Sequence, residues 1–352
     1  MKFNNKIKIS NKIISNKRCF IVAEISANHC GKLSILKNII KDLKNSGVDA
    51  IKIQAYEAST ITLNSKHKDF RIKKNNTWSK YKTLYDLYKK AQTPFNWYPK
   101  IFKFCKKNKI IIFASVFDEK SLNMLEKLNC PAYKIASPEI TDIPLIEKVA
   151  KTKKPIIISN GLATFSDLDT AVKTVKKQKN KNLILLKCTS SYPTSANEVN
   201  LSTMNDISKK FKCLSGFSDH TNGFNLTIHA ASMGACMIEK HVMLKNKKSV
   251  DSFFSLNTSD FKKMIAIIRN NEIATGKIDY KISRSSKINL NGRRSIYVTK
   301  NIAKGEKFTE ENIGSIRPSF GMHPKHYKSF INKKSVKFIK AGSRLKWEYL
   351  KN

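Results

Sequence analysis

The chain has 352 residues, of which 41% are hydrophobic, so it is too apolar for a disordered protein and long enough for a large buried core. Its net charge is +41, but the basic residues are dispersed and accompany no nucleic-acid-binding motif, so we expect solvated surface charge and no nucleic-acid partner. The seven cysteines form no CxxC pair, and no hydrophobic leader or bilayer-length apolar run is present, so we predict a soluble, cytoplasmic protein without a membrane partner.

Short β-branched runs alternate with helical segments along most of the chain. The runs are continuously apolar, which is typical of parallel strands that are buried on both faces. We predict strands at residues 20–25, 50–54, 110–115, 132–137, 155–160, 183–188, 213–218 and 236–241. Eight βα units within about 250 residues predict an α/β fold, the closed (β/α)8 or TIM barrel. A doubly wound open sheet is the alternative, but no GxGxxG motif follows the first strand.

Two stretches depart from this rhythm. Residues 60–109 form a long aromatic insertion on the face of the barrel where active sites lie, and we expect most of its aromatic side chains to pack the insertion onto the barrel. After the last helix the sequence becomes polar and aperiodic, and then short strand-like runs follow at residues 295–298 and 335–338. We therefore predict a barrel domain over residues 1–280, a linker over 281–291 and a small, mainly β domain over 292–352.

Nearly every predicted barrel strand ends in a polar or ionisable residue. Because the carboxyl ends of parallel barrel strands meet at one face, this coincidence predicts a single polar pocket. The residues concerned are Glu24, Lys52, Gln54, Ser115, Lys134, Ser137, Glu139, Ser159, Asn160, Lys187, Ser190, Tyr192, Ser218, Asp219, His220, Glu239 and His241.

The types of these residues indicate the chemistry. His220 and His241 close adjacent strands, so they could bind one divalent cation (Mn²⁺, Mg²⁺, Zn²⁺ or Fe²⁺) or could simply be core histidines. Lys52, Lys134 and Lys187, with the serines, favour binding of a phosphate and a carboxylate over formation of a Schiff base. Glu24, Glu139 and Asp251 remain for proton transfer and sugar hydroxyl contacts.

Eight motifs resemble, in order, those of the nonulosonic (sialic) acid synthase family. They are AEISANH (23–29), AIKIQAY (50–56), YKIASPEITDIPLI (133–146), PIIISNGLA (155–163), LLKCTSSYPT (185–194), GFSDHT (216–221), GACMIEKH (234–241) and DSFFSL (251–256). The tail resembles the SAF, or antifreeze-like, domain of that family. TLYDLYKKAQTPFNW (83–97) and the RRS…SIRP…HP stretch (292–324) are similar to its pseudaminic acid synthase branch.

The resemblance implies a metal-assisted condensation of phosphoenolpyruvate, water and an amino sugar aldehyde, here a 2,4-diacetamido-2,4,6-trideoxy hexose of the altrose type. Phosphate would leave by C–O cleavage, and pseudaminic acid would be the product. N-acetylneuraminate or legionaminic acid synthesis is the alternative, and a non-enzymatic glycan-binding protein is the alternative of another class.

The resemblance also assigns roles to residues of this sequence. His220 and His241 match the ligands of a divalent metal, for which we expect Mn²⁺ or Mg²⁺, and Glu24, Glu139 and Asp251 match the catalytic carboxylates. Phosphoenolpyruvate would be bound by Lys52, Lys134, Ser137, Ser159, Ser190, Tyr192 and Ser218. Sugar contacts would come from Gln54, Glu239 and, from the partner subunit of a homodimer, the arginine that matches Arg317. Departures from the family pattern, such as Asn160 and Ser319-Phe320, leave this chemistry intact but bear on sugar specificity.

Overall fold

The computed structural model describes residues 1–350, and the chain divides into two compact units. The first unit is Met1–Gly276, and the second begins at Lys277. Among residues 1–350, no helix combines the length and the apolar composition that crossing a membrane requires.

The first unit is a closed barrel of eight parallel strands. Each strand pairs with the next along the chain, and the last pairs with both its predecessor and the first, which closes the cylinder. The barrel strands are β3 (Phe20–Glu24), β4 (Ala50–Ala55), β5 (Ile111–Val116), β6 (Tyr133–Ile135), β7 (Ile156–Ser159), β8 (Leu183–Cys188), β9 (Leu214–Asp219) and β10 (Met237–Met243). The predicted (β/α)8 barrel is confirmed. Strands such as β5 and β8 are buried at every residue, as parallel strands covered on both faces are.

Helices follow the barrel strands, and most of them bury an apolar face against the barrel core. They are α1 (Leu33–Leu43), α2 (Ala58–Ile61), α3 (Leu84–Ala91), α4 (Tyr98–Lys107), α5 (Glu119–Lys127), α6 (Ile143–Lys151), α7 (Phe165–Lys177), α8 (Ser202–Phe211), α9 (Asn225–Ser232) and α10 (Thr258–Thr275). Several begin at a side-chain cap. Asp142 accepts a hydrogen bond from the Leu145 N–H at the start of α6, and Thr164 forms a capping box with Asp167 at the start of α7.

An N-terminal hairpin, which the sequence patterns did not reveal, packs at the amino-terminal end of the barrel. Its strands are β1 (Ile7–Ile9) and β2 (Lys12–Ile14), which pair antiparallel, and Ile7, Ile9 and Ile14 are buried in the main core. Asp49, which lies just before β4, links the hairpin to the barrel because it forms ion pairs with both Lys12 of β2 and Arg269 of α10.

The second unit has its own small apolar core and little regular structure. Strands β12 (Ser295–Val298) and β13 (Ile313–Ile316) pair antiparallel, and short bridges join the remaining segments. The predicted strand at 335–338 is wrong, since only Ser335 forms an isolated bridge there. Residues of the predicted linker 281–291 include most of an exposed 3-10 helix, Ser285–Gly292. Strand β11 (Leu256–Asn257) belongs to the first unit and pairs in parallel with the end of β10.

Candidate active site

A cavity of about 300 Å³ opens at the carboxyl ends of the barrel strands. Side chains alternate in direction along a strand, so residues two apart on β4 and on β10 face the interior together. Of the residues predicted from sequence, the cavity wall includes Lys52, Gln54, Lys134, Ser137, Glu139, Ser159, Tyr192, Ser218, His220, Glu239, His241 and Asp251. Residues separated by some two hundred positions in the chain therefore meet at one place, as the polar strand ends predicted.

Lysines and carboxylates alternate on the floor of the cavity. Lys52 forms an ion pair with Glu24, lies 3.6 Å from Glu239 and donates to Ser115 Oγ at 2.8 Å. Lys134 Nζ lies 3.1 Å from the same Glu239 carboxylate, which also accepts a hydrogen bond from Ser218 at 3.1 Å. All these side chains are buried, so their charges interact with little screening by water.

The pKa values follow from this packing. Burial alone would raise the pKa of Glu239, but Lys134 and Lys52 lower it to about 2, so this carboxylate stays ionised. Burial raises the pKa of Glu24 to about 7 despite its pairing with Lys52. The pKa of Lys134 is lowered by burial. The floor thus contains two lysines, the ionised Glu239 and Glu24, which titrates near neutral pH. The lysine ammonium groups could exchange these carboxylate partners for the anionic groups of a ligand.

Serine hydroxyl groups lie near the lysines of the floor. The Oγ atoms of Ser159 and Ser190 are buried and have no hydrogen-bond partner among residues 1–350. Ser137 Oγ accepts a hydrogen bond from the Leu162 N–H at 2.7 Å, which leaves its own proton free to donate. Hydroxyl protons that face two lysines are suited to the oxygens of a phosphate or a carboxylate.

The two predicted metal ligands lie together at the edge of this floor. The rings of His220 and His241 have their centroids 5.4 Å apart, and both are buried against Phe254. His220 Nδ1 lies 2.9 Å from the Thr189 carbonyl, which orients the ring and leaves Nε2 for a ligand. His241 Nδ1 has no hydrogen-bond partner among residues 1–350.

The donor set fits a divalent cation that is open on one side. Burial holds the pKa of His241 well below its usual range, so its imidazole is neutral, as a ligand must be. Although burial lowers it, the neighbouring Cys188 raises the pKa of His220, so a cation would have to displace a proton from that ring. Within residues 1–350 no cluster of three or more His, Cys, Asp or Glu side chains could hold a metal. A cation on this pair would therefore depend on water or substrate oxygens for its other ligands, which is typical of catalytic sites.

Two further carboxyl groups, Asp251 and Glu139, line the cavity. Asp251 accepts hydrogen bonds from Ser26 Oγ and, at 3.3 Å, from the Ala27 N–H. Glu139 is largely buried, and its Oε2 has no partner within the described chain. Burial raises the pKa of Glu139 to about 7, so near neutral pH this group can either donate or accept a hydrogen bond.

Seven of the predicted residues do not line the cavity: Glu24, Ser115, Asn160, Lys187, Ser190, Asp219 and Arg317. Glu24 is fully buried and pairs with Lys52, which does line it. The prediction for Lys187 is wrong: its Nζ donates to the Cys188 carbonyl at 2.7 Å, and the strand alternation places Cys188, not Lys187, on the cavity wall. Ser190 Oγ and Ser137 Oγ both lie close to the Cβ position of Gly161. Arg317 belongs to the second unit, directly after β13.

Sequence reasoning missed the apolar side of the cavity. Tyr56, Ile72, Trp78, Leu87 and Tyr88, all from the segment that follows β4, line it together with Glu139. Most other aromatic residues of the insertion do pack inward, as expected. The spacing of its aromatic residues held no signal that separates packing side chains from those that face the cavity.

Comparison with known proteins agrees with this architecture. The sequence matches the NeuB family over residues 39–280 and the SAF domain over residues 293–351. Pseudaminic acid synthase of Campylobacter jejuni subsp. jejuni serotype O:2 is 44% identical over 335 residues, which are 94% of this chain and 96% of that protein. The Helicobacter pylori protein of the same name is 43% identical, over 92% of this chain and 96% of that protein.

Among solved structures, the N-acetylneuraminic acid synthetase of Leptospira borgpetersenii superposes with a TM-score of 0.71 at 28% identity. The match covers 83% of this chain and 97% of that one. The predicted membership is confirmed: the chain belongs to the NeuB family and carries a SAF domain over residues 293–351.

Proposed function

We propose that this chain condenses phosphoenolpyruvate with a 2,4-diacetamido-2,4,6-trideoxy hexose of the altrose type and water, giving pseudaminic acid and phosphate. The observation that carries the proposal is the convergence of two buried lysines, free serine hydroxyls and a histidine pair on one cavity. The identity to proteins named pseudaminic acid synthase, at 43–44% over more than nine-tenths of the chain, supports this choice of sugar.

Phosphoenolpyruvate is assigned to the lysine floor. It carries a carboxylate and a phosphate, and Lys52 and Lys134 with the hydroxyls of Ser137 and Ser159 line the cavity and offer donors to both groups. Ser190, whose unpartnered Oγ lies close to Gly161, would join them. The lysines now share Glu239, whose negative charge holds them in place until the substrate anion arrives. Binding at several points fixes the methylene carbon in one orientation, which lowers the entropic cost of carbon–carbon bond formation.

A divalent cation, Mn²⁺ or Mg²⁺, would be held by His220 and His241. When bound, it supplies Lewis-acid polarisation of the sugar aldehyde. Glu139, Asp251 and Gln54, which also line the cavity, hold the sugar by its hydroxyl and amide groups. The phosphoenolpyruvate methylene carbon then forms a bond to the aldehyde carbon, water adds to the oxygen-bearing carbon, and the C–O bond to phosphate breaks. We assign the proton transfer to Glu24, whose pKa near 7 suits a group that gains and loses a proton.

We also propose that the enzyme is a homodimer in which Arg317 contributes to the sugar site of the partner. The first residues of the second unit support an interface, because apolar side chains are strongly exposed there: Ile278 at 89%, Tyr280 at 96% and Ile288 at 83%. Mixed dimers of Arg317→Ala and His241→Ala chains would then contain one intact site and one doubly defective site. Co-expression of the two inactive variants should restore activity, and failure to restore it would refute a shared site.

We place the reaction in the cytoplasm. The seven cysteines are unpaired in the structure, most of them buried, as suits a reducing compartment.

The test of the activity is phosphate release from phosphoenolpyruvate with a panel of 2-acetamido and 2,4-diacetamido hexoses, followed by the mass of the product. We expect the trideoxy sugar to give phosphate and a nine-carbon acid in equal amounts. His220→Ala, His241→Ala or chelation should abolish the reaction, whereas His229→Ala, on the exposed face of α9, should not. Full activity after exhaustive chelation would remove the metal from the proposal.

A further inference from the structure

The two sides of the cavity differ in chemistry. The floor carries the lysines, serines and histidines, whereas the side formed by residues 56–91 carries no charged group. We call the part of this side formed by Ile72, Trp78, Leu87 and Tyr88 the insertion wall. Leu87 is only 7% exposed, and with Val250 and Ala27 it forms a small apolar cluster that is separate from the barrel core.

The apolar character of the insertion wall is selective. The segment is rich in lysine, yet none of those lysines lines the cavity. They are Lys66, Lys68, Lys73, Lys74, Lys80, Lys82, Lys89 and Lys90. No charged side chain of the segment lines the cavity, so this side offers a ligand carbon surface, the hydroxyls of Tyr56 and Tyr88 and the amide of Asn76.

The insertion wall contacts the loops that carry Asp251 and Tyr192. Trp78 Nε1 donates to the Val250 carbonyl at 3.0 Å, one residue before Asp251. The Trp78 ring lies 5.4 Å from that of Tyr192. The Tyr88 ring packs edge-on against Tyr56 at 5.9 Å. The wall is therefore held in place from both sides of the cavity and does not depend on a ligand for its position.

A fully hydroxylated sugar would suit this wall poorly. A hydroxyl pressed against Leu87 and Ile72 loses its water and finds no partner, whereas a methyl group there gains burial. Phosphoenolpyruvate is small and anionic and belongs on the lysine floor, so the wall is left to the second substrate. A sugar with a methyl in place of a hydroxymethyl group, and with acetamido groups, presents methyl groups to it.

We propose that the insertion wall contacts the C6 methyl group and an acetamido methyl group of the acceptor, and so selects deoxygenated, acylated sugars against hydroxylated ones. This inference rests on the proposed condensation and names the residues that decide its sugar specificity. A single methyl group in an apolar pocket discriminates about 10–200-fold between substrates.

The experiment compares Leu87→Asn with wild type on two acceptors at saturating phosphoenolpyruvate. The acceptors are the 2,4-diacetamido-2,4,6-trideoxy hexose and a 2-acetamido-2-deoxy hexose that keeps its 4- and 6-hydroxyls. We expect Leu87→Asn to lower kcat/KM for the trideoxy sugar at least 10-fold, to narrow the ratio between the two sugars, and to leave KM for phosphoenolpyruvate within 2-fold. Leu87→Met, which keeps the apolar surface, should restore the ratio.

Leu63→Asn is the matched control, since Leu63 lies in the same segment, is 63% exposed and does not line the cavity. Ile72→Thr, at a half-buried position, is the second variant and answers the question if Leu87→Asn fails to fold. An unchanged ratio between the sugars in both folded variants would overturn the inference and leave the proposed reaction standing.

Calorimetric binding of the two sugars in the presence of phosphoenolpyruvate separates the inference from the proposed reaction. If wild type turns over neither sugar, the proposed reaction fails. Tighter binding of the trideoxy sugar to wild type than to Leu87→Asn would still support the insertion wall, and equal binding would overturn it.

Discussion

Gly161 lies where the hydroxyls of the anion floor crowd together. A Cβ atom built on it would lie 2.4 Å from Ser190 Oγ, 2.9 Å from Ser137 Oγ and 3.0 Å from the Ser190 backbone nitrogen. Gly161 does not have a positive φ, so the glycine is required there by space and not by backbone conformation. Gly161→Ala therefore tests the floor without straining the chain.

The size of the effect follows from these distances. Ordinary contacts of a Cβ atom begin near 3.4 Å, so Ser190 Oγ must move by about 1 Å. The Ser190 backbone nitrogen is also too close, so rotation of the serine side chain alone does not relieve the crowding. Loss of one hydrogen bond to a charged substrate group costs about 1.5–3 kcal/mol. At about 1.4 kcal/mol for each factor of ten, kcat/KM for phosphoenolpyruvate should fall about 10–100-fold in Gly161→Ala.

The assay is phosphate release over a range of phosphoenolpyruvate concentrations at saturating sugar. Gly292→Ala is the control, because nothing lies within 4 Å of its Cβ position and its φ is not positive. We expect the control to match wild type. If Gly161→Ala is folded and its kcat/KM for phosphoenolpyruvate stays within 2-fold of wild type, Ser137 and Ser190 do not bind this substrate.

Three other predictions concern charge. Lys134→Met should lower kcat/KM for phosphoenolpyruvate about 100-fold, because charge-assisted hydrogen bonds from one ammonium group are lost, while the exposed Lys148→Met should not; steady-state kinetics check this, and equal values would remove Lys134 from the site. Because burial raises the pKa of Glu139 to about 7, its protonated form persists to neutral pH, so wild-type KM for the sugar should rise above pH 7 and Glu139→Gln should show no such rise; an unchanged inflection in the variant would contradict this. Asp49→Asn should lower the free energy of unfolding by roughly 2–3 kcal/mol, because Arg269 loses its buried partner. Although burial opposes it, hydrogen bonds such as that from Lys12 hold the pKa of Asp49 below 3.8, so the stability difference, measured by denaturant unfolding, should be present above pH 3.8 and vanish as the pH falls through the lowered pKa; a difference independent of pH would refute the ion-pair account.

The barrel and its floor could be predicted because local patterns determine them. An unbroken apolar run of strand length is typical of a strand that is covered on both faces, and eight such runs predict a closed barrel. Once the strands are placed, the period of two decides which residues face inward. Lys52 and Gln54 share the interior face of β4, and Glu239 and His241 share that of β10.

The same period shows why one prediction failed. Lys187 and Cys188 are neighbours on β8, so only one of them can face the cavity. The sequence favours Lys187 for that position because it is the polar residue of the two. The register of β8 places Cys188 on the cavity wall instead. Lys187 loses little by facing away from the cavity, because its ammonium group donates a hydrogen bond to the Cys188 carbonyl.

Features that depend on distant contacts could not be predicted. The N-terminal hairpin has strands of three residues, too short for a periodic signal, and is stabilised by Asp49 and by burial of its isoleucines. The insertion wall depends on Trp78 reaching the Val250 carbonyl, 172 positions away in the chain. The sharing of Glu239 by Lys52 and Lys134 likewise requires three strands to be placed first.

We propose that one cavity joins phosphoenolpyruvate to an amino sugar and releases phosphate by breaking the C–O bond. The most direct test uses phosphoenolpyruvate with heavy oxygen in the bridge between carbon and phosphorus. With the trideoxy sugar and a divalent cation, we predict that every released phosphate carries the label and that a nine-carbon acid forms in equal amount. Label retained in the sugar acid, or phosphate released without that acid, would contradict the account.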